Sequence, residues 1–261
     1  MSWLDFDRYV TERVSETDRL ADTLQELGVD ALVPTCPEWT VADLAAHVAR
    51  GQRWVTGIIE RLVDHPIPMP DNLFAPADTA ARTAWIKDGA RDMATAAARA
   101  GSTAPVWTWT ADRTVGFWVR RFAHDVLVHR FDAESAAAGT VSDRFDVATD
   151  LAADGVSDVL STVETLSSAD GYESIFLGFR GNGQTLYFHA TDAALGDVGE
   201  WRATRTAGGV TWEHAHGQSD VAVCGPAADL LLVLNRRWSP TRLEVHGNAA
   251  LFEHWLENSQ F

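Results

Sequence analysis

Gln184-Thr185-Leu186-Tyr187-Phe188-His189-Ala190 is where the chain changes character. The stretch is short, rich in aromatic and aliphatic side chains and bounded by glycines, so it reads as a strand. Similar runs lie at 174–180, 200–205, 210–215 and 220–224, and together they predict an antiparallel sheet. Gly225-Pro226 turns the chain into an apolar helix over 227–237, and a strand at 243–246 and a helix from Asn248 to about Glu257 complete the pattern.

Upstream of this region no segment alternates with a period of two. Trp3, Phe6, Val10, Val14, Thr17, Leu20, Leu24 and Leu27 recur at steps of three, four or seven, which is one apolar stripe of a helix. Pro34 and Pro37 forbid its continuation. A second helix starts at Thr40, whose hydroxyl and Asp43 three residues on form a variant of the capping box. Further helices are predicted over about 78–100, 113–138 and 147–166. The expectation is an α+β chain of two domains, an up-down helical bundle over 1–167 followed by a small α/β domain over 168–261.

Composition narrows the function classes. The 261 residues carry a formal charge of −16, and the pI is near 4.8. That field repels phosphate backbones, so nucleic acid is not an expected partner. No apolar run reaches the ~20 residues a membrane span needs, and the first residues lack the pattern of a signal peptide, so the cytoplasm is the expected compartment. Cys36 and Cys224 have no C-x-x-C spacing, which argues against a disulfide framework or a zinc knuckle.

Motifs of nucleophilic, phosphate-binding and H-E-x-x-H metalloprotease enzymes are absent from the chain. What remains is a set of histidines and carboxylates on helices. Asp125 and His129 are four apart, so they share one helix face, and Asp132 lies three beyond His129 on the same face. His124 points away. One imidazole and one carboxylate a turn apart offer two ligands to a divalent ion, and His47 on the second helix is the candidate third. The bland alternative is a surface ion pair or a satisfied core histidine. His214 and His216 alternate as on a strand and read as a solvated edge, with His189 and His246 as sheet residues. The tryptophans around the bundle, Trp39 and Trp54 among them, read mostly as core. Arg236 and Arg237 either clamp a carboxylate or answer a helix C-terminus.

Two stretches resemble signatures of one family. Thr35-Cys36-Pro37-Glu38-Trp39-Thr40, running on to His47-Val48-Ala49, resembles the first signature of the mycothiol-dependent maleylpyruvate isomerase family, and 121–134 resembles the second. The segments 225–234 and 243–248 are similar to that family's C-terminal domain. The resemblance implies a DinB-like bundle holding a divalent metal, usually zinc, and a sterol-carrier-protein-like α/β domain. Matched by position, the metal ligands are His47, Asp125 and His129, with Asp125 standing where the best-known members carry glutamate. Asp132 and Arg121 become supports of those ligands, and Arg236 or Arg237 the counterpart of a substrate-binding arginine. The implied cosubstrate is mycothiol, held as thiolate on the metal. It would add to maleylpyruvate, allow rotation about the former double bond and leave again, or else conjugate to another electrophile. A non-catalytic small-ligand binder and a metal-dependent hydrolase on the same bundle are the competing readings. Both monomers and homodimers are compatible with the sequence.

Overall fold

A computed structural model describes residues 4–168 and 176–259 of the chain. Trp3, Ser174 and Ile175, each placed in an element by the sequence pattern, lie outside the described residues. The chain forms two compact units, Met1–Arg144 and Phe145–Phe261. None of the described helices is long and apolar enough to cross a membrane.

The first unit is helical: α1 (Phe6–Gln25), α2 (Val41–Arg61), α3 (Thr79–Ala100) and α4 (Val115–Ala138). The caps follow the local chemistry. Thr40 accepts from the Asp43 amide while the Asp43 carboxylate accepts from the Thr40 amide, so the shortened capping box is complete. The Asp78 carboxylate caps α3 by accepting from the Ala81 amide, and Gly139, at φ 68°, ends α4 in the left-handed conformation. α1 packs along α4 and α3, and α2 packs on α3 and α4. Two apolar clusters fill the interior, one around Tyr9, Ile58, Met93 and Trp118, the other around Leu20, Leu44, Val48, Ile86 and Val126. α4 is buried on most of its circumference. The charges this encloses are compensated: Arg130 donates to Glu16 on α1 and to Glu134 one turn on. A residue without a side chain closes the α2–α4 seam. A Cβ on Gly51 would stand 2.7 Å from the Phe122 ring, so glycine there allows α4 to approach one turn beyond His47.

The second unit holds α5 (Thr149–Ser168), β1 (Thr185–Ala190), β2 (Glu200–Thr206), β3 (Gly209–Glu213), β4 (Val221–Gly225), α6 (Ala227–Leu234), β5 (Glu244–Gly247) and α7 (Ala249–Asn258). Several expectations need correction. The sheet is mixed, in the order β3-β2-β1-β4-β5, because β4 pairs with β1 in parallel while the other three pairings are antiparallel. The β2–β3 hairpin takes one edge of β1, so residues 214–220 must carry the chain back to the other edge before β4 begins. The boundary also moves. The expected division at 167/168 puts α5 in the bundle, whereas α5 packs on β3 and α6 and the units part at Arg144 and Phe145. Trp201 on β2 donates to the Ser157 hydroxyl of α5, and the Val210 amide of β3 donates to Ser167. Gly209, at φ 128°, is required at that junction, since a Cβ there would sit 2.9 Å from the Ser167 carbonyl.

Leu186, Phe188, Trp201, Ala203, Val221 and Val223 share the fully buried face of the sheet, paired directly across strands. Phe188 meets Phe252 and Trp255 of α7 at 6.2 and 5.9 Å between ring centres. Residues 177–179, expected in a strand, form a single 3-10 turn instead. His214 and His216 fall just past the end of β3 rather than within it.

Candidate metal centre

Two turns into α2, His47 faces α4, where Asp125 and His129 stand one turn apart. One ligand atom from each of the three lies within 4.8 Å of the other two, the only such group among the described residues. The bundle therefore brings together the three side chains that the spacing and the resemblance singled out. His129 is nearly enclosed, Asp125 is partly covered and His47 is exposed, so the group is reached from the solvent side of α2.

The neighbours take the outer atoms of these ligands. His129 Nδ1 lies 2.8 Å from Asp132 Oδ2, and Asp132 is completely buried. A buried carboxylate there accepts a hydrogen bond from the ring, which assigns the hydrogen to Nδ1 and leaves the Nε2 lone pair to ligate. Arg121 Nη2, one turn before Asp125, donates to Asp125 Oδ1 at 3.2 Å. The other oxygen, Oδ2, stands 4.0 Å from His129 Nε2, too far for a hydrogen bond. Two electron-rich atoms thus face each other across a gap, with His47 beside them. A divalent ion at about 2.0–2.2 Å from each ligand atom fits such a gap after a small contraction. Asp125 responds to the same surroundings. Burial pushes its carboxyl pKa up, but His129, Arg121 and His47 together outweigh that and hold it below the ordinary value.

The sequence missed two contributions to this centre. Trp39 lies against both imidazoles, 4.9 Å from His47 and 5.9 Å from His129 between ring centres, and the two imidazoles are 4.7 Å apart. Cys36 Sγ is 3.8 Å from Asp132 Oδ2. The Pro-Glu-Trp loop was legible as a connector, but its ring contacts needed the tertiary fold. His124 packs edge-on against Tyr9, away from the group. In the second unit, Arg237 donates to the Asn235 carbonyl just past the end of α6, and Arg236 is exposed at φ 60°. His189, His214 and His216 gather around Glu200.

Comparison with known proteins matches residues 10–134 to the mycothiol maleylpyruvate isomerase N-terminal domain. No curated protein sequence matches the chain. Among solved structures, the crystal structure of the mycothiol-dependent maleylpyruvate isomerase aligns with a TM-score of 0.58 at 14% identity, covering 93% of each chain. A histidine-to-alanine mutant of that enzyme aligns with a TM-score of 0.57 at 13% identity, with the same coverage. At these identities the likeness is one of fold, and it extends beyond the family-matched helices into the sheet. All three ligand candidates, with Trp39, Arg121 and Asp132, lie inside the segment that matches the mycothiol maleylpyruvate isomerase N-terminal domain.

Proposed function

We propose that the chain is a metal- and mycothiol-dependent enzyme that acts on a small electrophile of the maleylpyruvate kind, by isomerisation or by S-transfer. The observation that carries this reading is the convergence of His47, Asp125 and His129 within 4.8 Å. Two imidazoles and one carboxylate are the ligand set of many three-ligand catalytic zinc sites, so zinc is the proposed ion. When bound, it would supply a Lewis acid that keeps a thiol ionised near neutral pH.

The protein's own groups have defined tasks in this scheme. Asp132 keeps the His129 proton on Nδ1 and so directs Nε2 toward the ligand gap. Arg121 occupies one Asp125 oxygen and orients the other. Burial of His129 limits water on one side, while the exposure of His47 leaves the other open to a bulky thiol. Arg236 and Arg237 are the proposed contacts for a substrate carboxylate, a role suited to a planar guanidinium. In this reading the helical unit is a DinB-like bundle and the sheet unit a sterol-carrier-protein-like domain. The isomerase named in the structural comparison is mycothiol-dependent, and the match of residues 10–134 to the corresponding N-terminal domain favours the same cosubstrate here.

The test is turnover of maleylpyruvate by zinc-loaded protein, with and without mycothiol. Product is expected only when both metal and thiol are present. Equal turnover without thiol would exclude the thiol mechanism, and saturable binding without product would indicate a carrier. Either result refutes the proposal.

A further inference from the structure

Trp39 sits one residue before the N-cap of α2 in a connector tied by its own backbone. The Val33 amide donates to the Trp39 carbonyl at 3.0 Å, the Trp39 amide to the Cys36 carbonyl at 2.8 Å, and the Val41 amide to the Ala31 carbonyl at 2.8 Å. The indole is therefore held by a rigid loop. It lies at 43° to the His47 ring and nearly parallel, at 27°, to the His129 ring, while the two imidazoles meet at 69°. All three separations, 4.9, 5.9 and 4.7 Å, fall in the range where aromatic rings attract. Three rings in mutual contact fix each other's tilt. The two imidazoles belong to different helices, and the indole touches both.

We infer that Trp39 is a positioning residue of the metal centre: its indole sets the relative orientation of the His47 and His129 imidazoles and tightens cation binding. The inference rests on the metal-binding reading above. Its electrostatic basis is that imidazoles bound to a dication become electron-poor, and the negative face of an indole stabilises electron-poor partners. Its entropic basis is that ordering two side chains in advance lowers the cost of binding.

Full-length metal-free wild type, Trp39→Phe and Trp39→Leu would be titrated with zinc against a chromophoric chelator, and their cobalt complexes compared by visible absorption. Affinity should fall about tenfold or more in Trp39→Leu, the scale known for partners of metal ligands, and only severalfold in Trp39→Phe, which keeps a ring. The melting temperatures of the metal-free proteins should not follow that order. Affinities within twofold across the series, or losses that track metal-free melting, overturn the inference while leaving the metal reading intact. Wild type that binds no cation overturns both. If Trp39→Leu does not fold, the cobalt spectrum of Trp39→Phe decides: shifted ligand-field bands support the inference and unchanged bands refute it.

Discussion

Among the described residues, histidines gather about a carboxylate in the bundle and again in the sheet unit, and the two groups differ in which atoms their neighbours occupy. In the bundle, Asp132 takes His129 Nδ1 and Arg121 takes Asp125 Oδ1, so the remaining lone pairs converge on a gap. In the sheet unit, the Tyr187 hydroxyl lies 3.3 Å from His189 Nδ1 and 3.2 Å from His216 Nδ1, and Glu200 Oε2 lies 3.1 Å from His216 Nδ1. There the neighbours fill the space that an ion would need. Accessibility differs as well, with the His129 side chain 9% exposed and that of His216 80% exposed. Residue composition does not make a ligand set. The supports do, by deciding which lone pairs are left over.

The strongest test of that contrast removes one imidazole from each group. His47→Ala should abolish stoichiometric metal in elemental analysis of purified protein, while His216→Ala should retain a full complement. Metal in both variants, or in neither, would erase the distinction. A smaller effect separates ligand from support. Asp132→Ala leaves all three ligands in place but removes the acceptor for the buried Nδ1 proton. Metal affinity should fall about 10- to 100-fold, and the metal-free protein should lose about 1–3 kcal/mol in urea unfolding. Unchanged affinity in a folded variant would show that the Asp132 contact does not orient the ring.

The smallest effect concerns the sheet group. Burial first, then Glu200, push the Tyr187 hydroxyl up to about 12 from an ordinary 10.0. The folded form therefore keeps its proton between those values while the unfolded chain gives its proton up. Stability falls as pH rises through that window, because the unfolded state there binds fewer protons. Stability of Tyr187→Phe, followed by urea melts across the same window, should decline less steeply, and phenolate absorbance should lose its latest-titrating component. The same slope in both proteins would mean that Tyr187 ionises like a solvated tyrosine.

Local signals in the chain were informative where they reported on local physics. The i, i+4 spacing of Asp125 and His129 fixes a shared helix face wherever the helix goes, and Thr40 with Asp43 specifies a helix start through bonds within four residues. Strands were legible near 184–190, 200–205, 210–215, 220–224 and 243–246, but not at 177–179, where a 3-10 turn stands. The larger misreadings are non-local. An apolar stripe on α5, with Leu151, Val159 and Val163 buried, says that a face is covered but not by what. The direction of β4 beside β1 depends on the return path through 214–220, which no period encodes. Trp39 stood inside the stretch that resembles the first signature, but its spacing did not separate it from the core tryptophans. Its position against two imidazoles comes from the turn at 34–39 meeting α4, a contact between residues about ninety apart in the chain.

The connector ahead of α2 carries both Trp39 and Cys36, one against the imidazoles and the other against Asp132. Tolerance of length change is consequently uneven along the chain. Adding a single residue within 31–40 would shift two supports at once, whereas the same insertion within 214–220 would relocate a solvent-facing ring. A change of loop length is therefore expected to cost more at the entrance to the bundle than at the sheet.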